Sequence, residues 1–142
     1  MPAARYGHRA VLLNDGNVLV TGGYDASDVP QNTVFLYTTG TGVWSTVCPM
    51  GVARAAHTAT VTTSNGYGVV AGGEGPDPDG TGPGVPPTYD SIEVYNGSSW
   101  TTLGTTMGSP RMYHAACVAN SSGNQVVIAG GWNGVDGNGI LS

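Results

Sequence analysis

Three Arg-x-x-His elements stand at Arg5 to His8, Arg54 to His57 and Arg111 to His114. A guanidinium grips anions and an imidazole ligates metals, so three such pairs brought together could form a ring of ligands for either. The stretch Glu74-Gly75-Pro76-Asp77-Pro78-Asp79-Gly80 gathers three carboxylates, the donor type that hard cations favour. Tyr24, Tyr113 and Trp132 offer aromatic faces on which the apolar side of a sugar ring could stack, with Glu74, Asp77 and Asp79 accepting hydroxyl hydrogens. Asn96 and Asn120 each open an Asn-x-Ser sequon, a glycan acceptor in a secreted protein.

The spacing changes the weight of these candidates. A methionine precedes every repeat arginine by four residues and every histidine by seven, at Met1, Met50 and Met107. Downstream of each pair an apolar run ends in two glycines: Val18 to Gly23, Gly68 to Gly73 and Val126 to Gly131. Residues that recur at one place in every unit serve what every unit must do, so the histidines read as packing groups and the arginines as ties to loop carbonyls. Arg54 and Arg111 remain candidates for ligand contact by position. The carboxylate loop lacks the spaced ligand series of an EF-hand. Its prolines make it a stiff, solvated arm, and no metal or other cofactor is implied.

The units are 49 and 57 residues long, measured from methionine to methionine. After the first two glycine pairs come a tyrosine strand, Val34 to Tyr37 or Ile92 to Tyr95, and then Trp44 or Trp100. Short strands at such a period predict an all-β propeller whose blades bury their faces on one another. Glycine within a strand costs roughly 0.5 to 1 kcal/mol relative to alanine. A repeated pair at a strand end therefore predicts a positive φ or a close backbone approach.

With these landmarks in this order, the chain resembles the kelch family of β-propellers across almost its whole length. Blade 1 spans 3–49, blade 2 spans 50–106, and a half blade spans 107–142. Ten strands are expected, about two and a half four-stranded blades of a larger ring. The pattern starts and stops in mid-repeat, so the chain reads as an excerpt; the other reading completes the ring with further copies.

Blade topology sorts the loops onto two faces. Loops joining strands two to three and four to one share a face, and this face receives Asp25, Asp28, Glu74, Asp77, Asp79, Asp90 and Asp136, seven of the nine acidic residues. It also receives the long insertion from Glu74 to Asp90, and long loops on a rigid scaffold commonly bind ligands. Directly after the glycine pairs stand Tyr24, Glu74 and Trp132; two residues after the arginines stand Gly7, Ala56 and Tyr113. These positions vary between blades, which makes them better site candidates than the invariant ones. Asn96 and Asn120 fall in turns of the opposite face, where turn geometry alone also favours Asn, Gly and Ser.

Composition narrows the partners. A net charge of −5 with four arginines and no lysine gives no footprint for nucleic acid. No apolar stretch approaches the roughly 18 residues of a membrane-spanning helix, and no signal peptide is visible. Cys48 and Cys117 fall on distant strands and are not expected to bridge, with Cys117 a small buried residue.

Extracellular relatives share the polar, glycine-rich and lysine-poor character, which implies secretion or the cell surface, with the cytoplasm as the alternative. The resemblance implies a binding module for a protein or glycan. It also brings galactose oxidase into comparison, where a tyrosine follows the repeat arginine by two residues, as Tyr113 does. The crosslinking cysteine expected on the preceding inner strand is missing from Arg54 to Thr60, and the histidine ligands would lie in other blades. A carbohydrate-active enzyme is thus the alternative reading, and self-association into an assembly is a third.

Overall fold

The computed structural model describes residues 1–77, 86–119, 121–134 and 140–141. These residues form ten strands: β1 (Arg9–Leu12), β2 (Val18–Thr21), β3 (Val34–Thr38), β4 (Val43–Val47), β5 (Thr58–Val61), β6 (Gly68–Ala71), β7 (Ile92–Tyr95), β8 (Trp100–Thr102), β9 (Ala115–Val118) and β10 (Val126–Ala129). They make three antiparallel sheets in the orders β1-β2-β3-β4, β5-β6-β7-β8 and β9-β10. Sequential strands are neighbours in each sheet, and the first strands lie side by side, β1 along β5 and β5 along β9. This is the propeller arrangement, with two four-stranded blades and a two-stranded third.

The hairpins follow from turn chemistry. Gly16 adopts φ +84 between β1 and β2, and its N–H donates to the Leu13 carbonyl. Register then places Val11 opposite Leu19 and Leu19 opposite Leu36, so apolar side chains gather on one face. Leu19, Val34, Met50, Val70 and Tyr95 form the core between the first two blades, with Val11, Leu36, Ala59 and Trp100 packed around them. Burying a side chain such as Leu19 contributes about 1.5 to 3 kcal/mol. The outer strands are pinned by aromatic pairs, Tyr37 with Trp44 at 5.0 Å and Tyr95 with Trp100 at 5.1 Å between ring centres. The Trp100 indole N–H reaches back to the Cys48 carbonyl of the neighbouring blade.

Each second strand is shorter than its apolar run suggests. The glycine pair interrupts the ladder, and single bridges resume beyond it, pairing Tyr6 with Tyr24, Ala55 with Glu74 and Met112 with Trp132. Cys48 and Cys117 are both free. Cys117 is exposed rather than buried, because among the described residues nothing packs on that face of the third sheet.

Candidate functional site

The repeat arginines and histidines turn inward, where one blade meets the next. The Arg54 carbonyl accepts the Gly23 N–H at 2.9 Å, and the Arg111 carbonyl accepts the Gly73 N–H at 2.8 Å. A Cβ on Gly22 would collide with the Arg54 carbonyl, and one on Gly72 with that of Arg111. The glycine pair therefore meets both sequence expectations, since every residue of the first two pairs has φ between +57 and +91. The side chains instead tie within their own units. Arg54 Nη1 donates to the Gly72 carbonyl at 2.7 Å, and Arg111 Nη1 to that of Gly130 at 2.9 Å.

The histidines cross the seam. Nε2 of His57 lies 2.8 Å from Thr21 Oγ1, and Nε2 of His114 lies 2.8 Å from Thr58 Oγ1. Burial, reinforced by nearby arginines, holds the His57 pKa well below its ordinary value and lowers that of His114 to about 4. Both rings are neutral near pH 7 and belong to the packing. Among the described residues no cluster of three or more His, Cys, Asp or Glu is placed to hold a metal.

Arg54 is also not on the rim where its position suggested. It is fully buried, with Nη2 donating to Ser91 Oγ at 3.1 Å and to Glu93 Oε1 at 2.7 Å. Its reach is consumed within its own blade. Arg111 is half-buried against the Gly130 carbonyl.

The variable positions come to a surface, except Ala56, which is buried. Tyr24, Glu74 and Trp132 occupy equivalent places in successive blades, each the middle member of a three-residue bridge that also includes Pro30, Thr88 or Ile140. All three are half-buried. Gly7, Ala56 and Tyr113 are left-handed, at φ +61, +52 and +54. They are linked across blades, the Ala56 N–H to the Gly7 carbonyl and the Tyr113 N–H to the Ala56 carbonyl, each at 3.0 Å. Tyr113 is 65% exposed, the most exposed aromatic side chain among the described residues. A tyrosine in this conformation stores roughly 1 kcal/mol or more, and such outliers concentrate at functional sites.

One neighbour, Tyr6, was missed by the sequence reading. Tyr6 stacks on Tyr24 with ring centres 4.6 Å apart, and its hydroxyl donates to Asp28 Oδ1 at 2.7 Å. That hydrogen bond, then burial and the charges of Asp28 and Glu74, raise the Tyr6 pKa to about 12. The pairing of the residue after each arginine with the residue after each glycine pair was the signal for it. Arg5, Tyr6, Tyr24, Asp25 and Asp28 line a cleft of about 240 Å³. Asp25 is committed to its own loop, accepting the Ser27 and Val29 N–H groups, which lower its pKa. Burial raises the pKa of Glu74.

Asp77 is half-buried on the same loop as Glu74, while Asp79 lies outside the described residues. Asn96 is exposed in the β7–β8 turn of the opposite face, its Oδ1 accepting from the Ser98 and Ser99 N–H groups. Asn120 lies outside the described residues.

The blade order, the glycine seam and the arginine ties now meet a direct comparison: the family model for the kelch motif matches residues 4–51. The first blade is a kelch repeat. A search of the curated proteins finds no match to it. The matched kelch motif covers the whole first sheet and runs into the Met50 link, and the second sheet repeats the same order and register. Kelch modules generally bind proteins, and this chain carries the scaffold of one.

Proposed function

We propose that this kelch module binds its partner through the face formed by the two-to-three and four-to-one loops, with Tyr6, Tyr24, Glu74 and Tyr113 as the contact surface. The observation that carries the reading is Tyr113, held left-handed and 65% exposed at a position where glycine would be unstrained. Aromatic anchors of this kind dominate binding energy in many interfaces. Arg54 and Arg111 are spent on ties within their own units and His57 and His114 on the seams between blades, which leaves the variable rim to recognise a ligand.

A protein partner is the first reading. A glycan is the second, favoured by the stacked Tyr6–Tyr24 pair beside the carboxylates of Asp28 and Glu74, which suits a sugar ring and its hydroxyls. Secretion or cell-surface display accords with the absence of lysine and with the exposed sequon asparagine, Asn96, on the far face.

A photo-crosslinking side chain placed at position 113, and in a control at Tyr67 in the β5–β6 turn of the opposite face, tests the reading against cell-surface and secreted material. The reading expects adducts from position 113 alone. Equal labelling from position 67 would contradict it, and a glycan array probed with the same chain separates the two ligand classes.

A further inference from the structure

The second unit has a neighbour on each side, so what its rim presents is independent of where the series of units begins or ends. At that rim stand Ala56 and Glu74. The Ala56 N–H donates to the Gly7 carbonyl of the first unit, and the Ala56 carbonyl accepts the Tyr113 N–H of the third, both at 3.0 Å. Beside Ala56, the Ala55 N–H donates to the Glu74 carbonyl at 3.0 Å. The Tyr24 ring lies over Gly7, where a Cβ would come within 2.9 Å of it. One short run of linked backbone thus carries Tyr24 on one side, Tyr113 on the other, and Glu74 in the unit between.

The Glu74 carboxylate is half-buried, and among the described residues it has no hydrogen-bond or ion-pair partner. Asp28 reaches the same locality from the first unit. Its Oδ1 accepts the Tyr6 hydroxyl at 2.7 Å, and that bond, then burial, then the charges of Asp28 and Glu74 and the neighbouring Tyr113 raise the Tyr6 pKa to about 12. Two carboxylates and three tyrosines therefore share one local field.

The chain supplies no cation to answer it. It has four arginines and no lysine. Arg5 donates to Thr33 Oγ1, Arg9 to the His57 carbonyl, Arg54 to Glu93 and Arg111 to the Gly130 carbonyl. Of these, Arg5 acts on the rim at Asp25, whose pKa is lowered first by the Ser27 and Val29 N–H groups and last by that charge. A metal ion suits the place poorly, because hard cations want several converging oxygens and among the described residues no three such ligands converge. A guanidinium suits it well: its plane stacks on an aromatic face while its N–H groups fork onto a carboxylate.

We propose that Glu74 receives an arginine side chain of a partner protein, with Tyr24 and Tyr113 stacking beside it and Asp28 adding a second negative charge. This rests on the reading of the loop face as the binding surface and names the partner's chemistry there.

The probe is acetyl-Gly-Arg-Gly-amide, titrated to millimolar concentration into the isotopically labelled chain, with the neutral citrulline peptide as control. The expected result is amide shifts at Glu74 and Tyr113 with the arginine peptide, weakened by salt, and none with citrulline. Glu74→Gln is expected to weaken binding about fivefold and Asp28→Asn about twofold. Both variants keep the side-chain size, and asparagine accepts the left-handed backbone that Asp28 adopts at φ +62, so their urea midpoints match the wild type. An arginine peptide that shifts neither residue overturns the proposal, as does an equal response to citrulline or a Glu74→Gln variant that binds as tightly as the wild type. Cross-linking from position 113 separates this failure from failure of the underlying reading. Adducts whose yield is indifferent to Glu74→Gln overturn the arginine and leave the loop face as the binding surface, whereas no adducts together with a silent titration overturn both.

Discussion

The guanidinium of Arg54 donates to the carboxylate of Glu93 at 2.7 Å, and both side chains are buried, at 0% and 1% exposure. Glu93 also accepts the Gly51 N–H at 2.5 Å, so the pair ties the inner entry of blade 2 to its third strand and to the link from blade 1. Leaving one member of a buried pair behind costs about 3 to 5 kcal/mol. Glu93→Ala is expected to lower unfolding stability by about 3 kcal/mol. In blade 1 the equivalent position is Phe35, over which Arg5 sits at 5.8 Å, with Arg5 donating to Thr33 in a half-buried site. Arg5→Ala is expected to cost about 1 kcal/mol. Urea unfolding of both variants checks this, and equal losses would contradict it.

The glycine pairs make a second test. Gly22→Ala must displace the Arg54 carbonyl as well as strain its own backbone, and is expected to cost about 3 kcal/mol or more. Gly130→Ala meets only the backbone term, about 1 kcal/mol, because its Cβ would meet no atom closer than the Leu141 carbonyl oxygen, at an ordinary 3.7 Å. Thermal melts compare the two. A loss at Gly130 as large as at Gly22 would show that the crowding at Gly22 is not the cause.

Acid should weaken the fold through the seam histidines. The folded pKa of His114 is lowered to about 4 and that of His57 lies well below its ordinary value, so the unfolded chain takes up protons first as pH falls. Stability from these groups is complete above about pH 6.5 and declines toward pH 4, by on the order of 2 kcal/mol for His114. Urea midpoints at pH 7.5 and pH 4.5 read the decline directly. A His57→Gln, His114→Gln double variant should show a flatter dependence, and a midpoint that rises on acidification would contradict the account.

Tyr113 should trade stability against binding. Replacing it with glycine releases left-handed strain, so Tyr113→Gly is expected to raise stability by about 0.5 to 1 kcal/mol while removing the exposed ring. A calorimetric melt checks the first part, and loss of cross-linked or array-bound ligand checks the second. A destabilised variant would mean that the ring packs rather than binds.

Much of this organisation was legible in the sequence, because the features that build a blade must recur in every blade. The glycine pairs announced a close approach, and Arg54 and Arg111 proved to be what met them. The tyrosine strands and the tryptophans that follow them marked the third and fourth strands of the first two blades. What escaped was whatever does not recur. Glu93 occupies the place that Phe35 holds one blade earlier, so no repeat marked it as the partner of Arg54. The Tyr6–Tyr24 stack depends on a cross-strand pairing beyond the glycine interruption, and the equivalent pairs are Ala55 with Glu74 and Met112 with Trp132. The burial of Arg54 follows from that missed carboxylate. The exposure of Cys117 follows from the uncovered face of the third sheet, which local pattern does not report.

The most direct test of the loop face as the binding surface is backbone chemical-shift mapping with the ligand that cross-linking or the glycan array identifies. The account predicts shifts concentrated at Tyr6, Tyr24, Glu74 and Tyr113, with Asn14, Asn65 and Asn96 in the opposite turns unmoved. Shifts confined to those opposite turns, with the tyrosine rim silent, would contradict it.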